Sequence, residues 1–258
     1  MSELVWRLGF THRHGWRAYF CEFPLSVLLA TSLPRVLLQI AFYVLLGGIV
    51  DGRAGQAYAL IGAAAATMGL FTAVNVSEVP AVDIREGTVF RHRIGVVGPF
   101  VSQVLRGVPY AATGLASAAV GIWVVGPITG HGALAAELTL TLPLYAVMAA
   151  TSSLAGLAVG VLSTPSDNDI IAGNLLLYAQ LLLSGAIIPA ERLGVAAWLG
   201  EVLPLRHGIA AVRAAVDGQP WLGQALLEVA VGAGWAVAGW VLVHWQVRRA
   251  RRHGAAEV

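Results

Sequence analysis

The chain has 258 residues, of which 57% are hydrophobic and 12% charged, half the roughly 25% charge of an ordinary soluble domain. A globule of this size has too little interior to hide so much apolar surface, so lipid is the solvent for much of the chain. All 16 basic residues are arginine, which excludes a Walker A nucleotide site and a Schiff-base lysine. The single cysteine, Cys21, excludes an internal disulfide or a multi-cysteine metal centre, and a net charge of +2 gives no argument for nucleic acid.

Residues 1–30 carry an early acid, spread arginines and no small-residue cleavage pattern, so a cleavable signal is not expected. Trp16, Phe20 and Phe23 recur at i, i+4 and i+7 beside Arg13 and Arg17. That spacing suits an amphipathic helix lying in the inner interface, with a poorly ordered basic leader as the alternative. Pro24 and Pro34 would bend the chain into the membrane.

Six segments then meet the requirement of about 20 mostly apolar residues for a crossing: Thr31–Val50, Ala57–Ser77, Gln103–Gly126, Leu134–Leu162, Ile170–Pro189 and Leu222–Val247. The expected fold is an all-α polytopic membrane protein: one six-span transmembrane domain over 31–247, the N-terminal segment before it and a basic tail over 248–258. No internal repeat and no Pro- or Ser-rich linker divides it. The polar stretch from Glu78 to Arg93 reads as a short helix plus a basic turn, or as a plain solvated loop. Between spans five and six, Pro189 to Trp221 contains apolar pieces too short to cross, broken by Pro204, which read as a re-entrant or interfacial helical segment.

Twelve arginines lie on one predicted side, including Arg35 and Arg106 at helix ends, and four (Arg53, Arg192, Arg206, Arg213) on the other. The excess of positive charge places both termini in the cytoplasm. Trp123, Trp198 and Trp221 fall near the outer surface and Trp6, Trp16 and Trp245 near the inner one, while Trp235 and Trp240 lie mid-span as packing residues.

The seven histidines are scattered over both sides and offer no metal site. Arg35 and Arg106 can snorkel to the interface, and Glu137 and Glu228 lie near enough to outer water to need no partner. No acid is expected at the midplane, which disfavours ion coupling. No serine has a base at a defensible spacing, so no catalytic constellation is found. Phe71 and Asn75 on span two, and Asn174 and Tyr178 on span five, are i, i+4 pairs. Each pair is either ordinary interhelical hydrogen bonding or the wall of a pathway for an amphipathic solute.

Three sequence stretches carry a resemblance: Asp83-Ile84-Arg85-Glu86-Gly87-Thr88-Val89, then Ser184-Gly185-Ala186-Ile187-Ile188-Pro189-Ala190-Glu191, then Leu203-Pro204-Leu205-Arg206-His207-Gly208 leading to Asp217-Gly218. Together with Arg106 opening the third span, they resemble the membrane permease of type-2 ATP-binding-cassette exporters. The resemblance implies no nucleotide site in this chain, with ATP and Mg used by two separate ATPase subunits. It implies a second permease copy, identical or related, around a central path. It assigns coupling to Glu78, Asp83, Arg85, Glu86, Gly87 and Thr88, the path to Phe71, Asn75, Asn174 and Tyr178, and an outer re-entrant gate to Pro189, Glu191, Pro204, Arg206 and His207. Pro80 departs from the pattern and is expected to break the helix before the Gly-Thr. The implied cargo is a hydrophobic or amphipathic small molecule such as a drug or natural product, with a lipid-linked glycan or lipid as the alternative. An ion-coupled carrier or channel working alone is the alternative from a different class.

Overall fold

The computed structural model describes residues 2–85, 97–163 and 169–252, and among these every regular element is helical. The basic leader forms α1 (Ser2–Glu22). Its anchor is Tyr19, 2% exposed, whose ring meets that of Tyr110 edge-on at 4.9 Å. Burial pushes the Tyr19 hydroxyl pKa above its ordinary value, against an opposing hydrogen bond from Thr113. Gly15 allows close approach, since a Cβ there would lie 3.0 Å from the Arg106 backbone. The docked face is therefore the one carrying Tyr19, and Phe20 of the expected apolar stripe remains 42% exposed.

After a three-residue helix (Leu25–Val27) and a π-turn (Leu28–Ser32), α2 runs from Leu33 to Gly69. It is not one rod. Asp51 and Gly52 leave helical geometry, Gly52 with φ 55°. Residues eight apart in a straight helix lie about 12 Å apart, yet a Cβ on Gly47 would strike the Gly55 carbonyl oxygen at 2.4 Å. The chain doubles back at Asp51–Gly52 into two packed arms, and glycine supplies the positive φ that the reversal requires. In the second arm residues 59 to 69 are all buried, so this arm is the centre of the bundle.

A second π-turn (Leu70–Val74) joins it to α3 (Asn75–Arg85). Pro80 sits inside α3 without ending it. It forfeits one backbone hydrogen bond, while packing on either side of it holds the helix: Ser77 against Gly160 and Asp83 against Arg106. Next come α4 (Pro99–Ile128), α5 (Gly132–Leu140), α6 (Leu142–Ser163), α7 (Asp169–Leu183), α8 (Arg206–Val216) and α9 (Leu222–Arg252).

Among the described residues, four stretches are long and apolar enough to cross a membrane: Leu25–Asp83, Pro99–Ile128, Leu142–Ser163 and Leu222–Arg248. Two sequence boundaries shift. The segment expected as Leu134–Leu162 is divided at Thr141, where Pro143 can open a helix but not continue one. The segment expected as Ile170–Pro189 is helical only to Leu183; its 15 residues reach about 22 Å, short of the roughly 30 Å hydrocarbon layer. The helix α9 also continues past Val247 into the expected basic tail, as far as Arg252.

Close backbone approach holds the bundle. A Cβ at Gly156 would lie 2.3 Å from the Ala73 carbonyl oxygen, and one at Gly160 2.1 Å from that of Ser77. This is small-xxx-small packing, which operates in lipid because it rests on dispersion rather than on water exclusion.

Candidate functional site

The two ends of the central helix carry different chemistry. At the end formed by α3, Asp83 is 4% exposed, and Arg106 Nη1 donates to both of its carboxylate oxygens at 2.6 and 2.7 Å. Arg106 is thus half of an internal ion pair between α3 and α4, where snorkelling to the interface was expected. An α3 carboxylate one turn past Pro80 reaches it because the π-turn at Leu70–Val74 rotates everything after it. Glu78 is half-buried and Arg85 exposed on the same helix. Glu86, Gly87 and Thr88 lie outside the described residues.

Midway, α7 packs on the central helix through Gly173, Leu176 and Gln180, which oppose Ser77, Ala73 and Gly69. The expected path residues are placed differently. Phe71 lies in the π-turn and packs against the core; Asn75 donates to its carbonyl oxygen at 2.9 Å. Tyr178 is 57% exposed, in line with exposed Ile171, Leu175 and Leu182 on the face of α7 turned away from the bundle. Asn174 shares the Tyr178 side of the helix by its i, i+4 spacing and is half-buried.

At the opposite end, the Ser184–Pro189 segment crosses the central helix at Gly62, where a Cβ would overlap the Ala186 backbone. Gly185 turns the chain at φ 79°. Its carbonyl accepts from the Tyr58 hydroxyl at 2.9 Å and from Arg213 Nη1 at 3.0 Å, and the Arg213 guanidinium lies 3.4 Å over the Tyr58 ring. Pro189 leads into the turn Ala190–Ala196, which contains Glu191. Pro204 is buried. Arg206 pairs with Glu201 at 2.8 Å, and His207 bridges Gln224 (3.0 Å) and the Glu201 carbonyl (3.2 Å). Tyr58, Gly185, Glu201, Arg206, His207 and Arg213 line a polar cavity of about 440 Å³ between the Gly185 turn, α8 and α9; Pro189 and Pro204 lie outside its wall.

Glu228 corrects an expectation. It is fully buried, and three donors converge on it: Thr151 Oγ1 (2.5 Å) and Leu205 N (3.1 Å) on Oε1, and Gly208 N (2.9 Å) on Oε2. The carboxylate on α9 therefore caps the N-terminus of α8 from another helix, with α6 as third party. Leu205 is buried at φ 78° and has no capping side chain, a geometry costing roughly 1–3 kcal/mol for a bulky residue. Two sequence signals belonged together here: an acid inside an apolar span, and a helix start lacking Ser, Thr, Asp or Asn. Trp235, expected as packing, donates to the Val202 carbonyl at 2.9 Å, whereas Trp240 is 51% exposed on the bundle surface. Glu137 is exposed, as expected.

The family profile described as ABC-2 type transporter matches residues 25–216. Nodulation protein J of Rhizobium leguminosarum bv. viciae is 33% identical over 112 residues, 43% of this chain and 43% of that protein. The match thus spans less than half the length of that curated relative.

Proposed function

Because the chain belongs to the ABC-2 type transporter family, we propose that it is the membrane-embedded permease subunit of an ATP-driven exporter, dependent on separate ATPase subunits. Its cargo is a hydrophobic or amphipathic small molecule, such as a drug or natural product, moved outward across a bacterial plasma membrane. The observation that carries this reading is the family match from the first membrane-length helix through α8. The state of the buried acids supports it against an ion-coupled carrier: Asp83 is held by Arg106, and Glu228 by three donors. A coupling carboxylate must be able to exchange its ion, and both of these are committed to structure.

The chain crosses the membrane six times in this reading, counting the two arms of α2 separately and counting α7 with the segment that follows it. Both termini are cytoplasmic. Two ATPases dock on α3 and on Glu86, Gly87 and Thr88, with Glu78 and Arg85 at the contact. The Asp83–Arg106 pair passes their motion into α4 as a rigid-body shift. A second permease copy faces the exposed side of α7, so that Asn174 and Tyr178, with Phe71 and Asn75, border a path between subunits. Pro189, Glu191, Pro204, Arg206 and His207 cap its outer end.

The test is to purify the tagged chain in mild detergent, identify what accompanies it and measure ATP hydrolysis. A stoichiometric ATPase is expected, with turnover and efflux falling in Glu86→Ala while membrane insertion is unchanged. A lone oligomer that transports in proteoliposomes without ATP would overturn the assignment.

A further inference from the structure

The polar cavity beside α8 is lined by two guanidiniums, Arg206 and Arg213, against one carboxylate, Glu201. That carboxylate is half exposed, so water screens part of its charge, whereas the Arg206 side chain is only 16% exposed. Arg206 Nε and Nη2 are both satisfied by the same Glu201 oxygen, at 3.1 and 2.8 Å. Its Nη1 is buried and meets no acceptor. A guanidinium carries five donors in a fixed fork and pairs bidentately with carboxylates or phosphates. A buried donor left unmet costs roughly 1–3 kcal/mol, and more on a charged group. Arg213 is held in place by the carbonyl oxygens of Gly185, Ala186 and Tyr58, dipoles that orient it without cancelling its charge. Ser184 and Gln224 add neutral hydrogen-bonding groups to the wall, and Leu227 an apolar one.

We propose that this cavity is a binding site for an anionic group, a phosphate or phosphodiester, held by the Arg206 Nε and Nη2 donors, with Glu201 as the internal competitor that occupies them when the site is empty. At about 440 Å³ the cavity exceeds what a bare phosphate needs and suits a phospholipid headgroup. The same chemistry arises from a free anion in the medium, and the test separates the two sources.

The experiment is calorimetric titration of the full-length chain in dodecyl maltoside at low salt. The probes are dihexanoyl-phosphatidylglycerol, its phosphatidylcholine counterpart and inorganic phosphate. The expected result is saturable binding of the phosphatidylglycerol, weakened about tenfold in Arg206→Gln, as loss of a charge-assisted hydrogen bond implies. Glu201→Gln should act the other way and tighten binding several-fold by removing the competitor; damage to the fold cannot produce that sign. Binding of the lipid alone assigns the site to a headgroup, and binding of phosphate with the same mutational pattern assigns it to a soluble anion. The proposal is overturned if neither anion binds saturably, if phosphatidylcholine binds equally, if Arg206→Gln binds like wild type, or if Glu201→Gln binds more weakly. Neither an ATPase nor transport enters the measurement, so a negative result leaves the permease reading standing.

Discussion

Replacing Glu228 by alanine tests how the α8 segment is tied to the membrane helices. The substitution removes the acceptor for two backbone N–H groups, Leu205 and Gly208, and for the Thr151 hydroxyl. Each buried donor left unmet costs about 1–3 kcal/mol, and the lost N-cap falls within the same sum. The Thr151 hydroxyl keeps the Met148 carbonyl at 3.0 Å as an acceptor, so the two backbone donors give a total of about 2–6 kcal/mol, before any cavity left by the side chain. At roughly 2–4 °C per kcal/mol for a chain of this size, the unfolding midpoint in detergent should fall by about 4 °C or more. Glu228→Gln keeps one acceptor oxygen but presents an NH₂ to a donor, so its loss should be intermediate. Thr151→Val removes a single donor and should cost about 1 kcal/mol. Intrinsic tryptophan fluorescence against temperature reads all three, and trypsin cleavage after Arg206 and Arg213 reports loosening of α8. An alanine variant that melts within about 2 °C of wild type would refute the capping argument, as would a glutamine variant weaker than the alanine one.

Gly160→Ala should destabilise by about 1–3 kcal/mol through overpacking against the Ser77 carbonyl, while Gly9→Ala, which meets nothing within 4 Å, should be neutral or slightly stabilising; melting curves compare them. Asp83→Asn should cost several kcal/mol by stranding the Arg106 guanidinium, and the double variant Asp83→Asn/Arg106→Gln should recover part of that in a double-mutant cycle. Gln180 is fully buried and its amide meets no partner among the described residues, so Gln180→Met should raise the melting midpoint, by an amount corresponding to about 1–3 kcal/mol; an unchanged or lowered midpoint contradicts this. Tyr58→Phe should lose the hydrogen bond to Gly185, about 1 kcal/mol, while Tyr58→Leu also removes the ring under Arg213 and should lose more.

Composition determined the solvent, and the length of the apolar runs the fold class. With 57% hydrophobic residues and 12% charged, a membrane chain follows, and continuous apolar runs of about 20 residues select helices over the alternating strands of a closed barrel. Periodicity located α1, and long apolar runs bounded by polar breaks located α4 and α9. The ordered motifs from Asp83 to Gly218 pointed to the family that the profile match then established. Local pattern could not show the end of α7 at Leu183, because close backbone contact acts through neighbours distant in sequence, whereas the division at Thr141 follows from Pro143 beside it.

The charged pairs were legible as residues but not as partners. Arg106 and Asp83 stand 23 positions apart, and Glu228 and Thr151 77 apart. Arg106 and Glu228 were each read alone as a group near water, although a buried charge in lipid is stable only with a partner. Which helix supplies that partner depends on rotation about the helix axis. That rotation is set by the π-turn at Leu70–Val74 and by the glycines that let α6 lie on the central helix. The tertiary structure alone decided it, because hydropathy fixes how deep a residue sits in the bilayer and only packing fixes the direction in which it points.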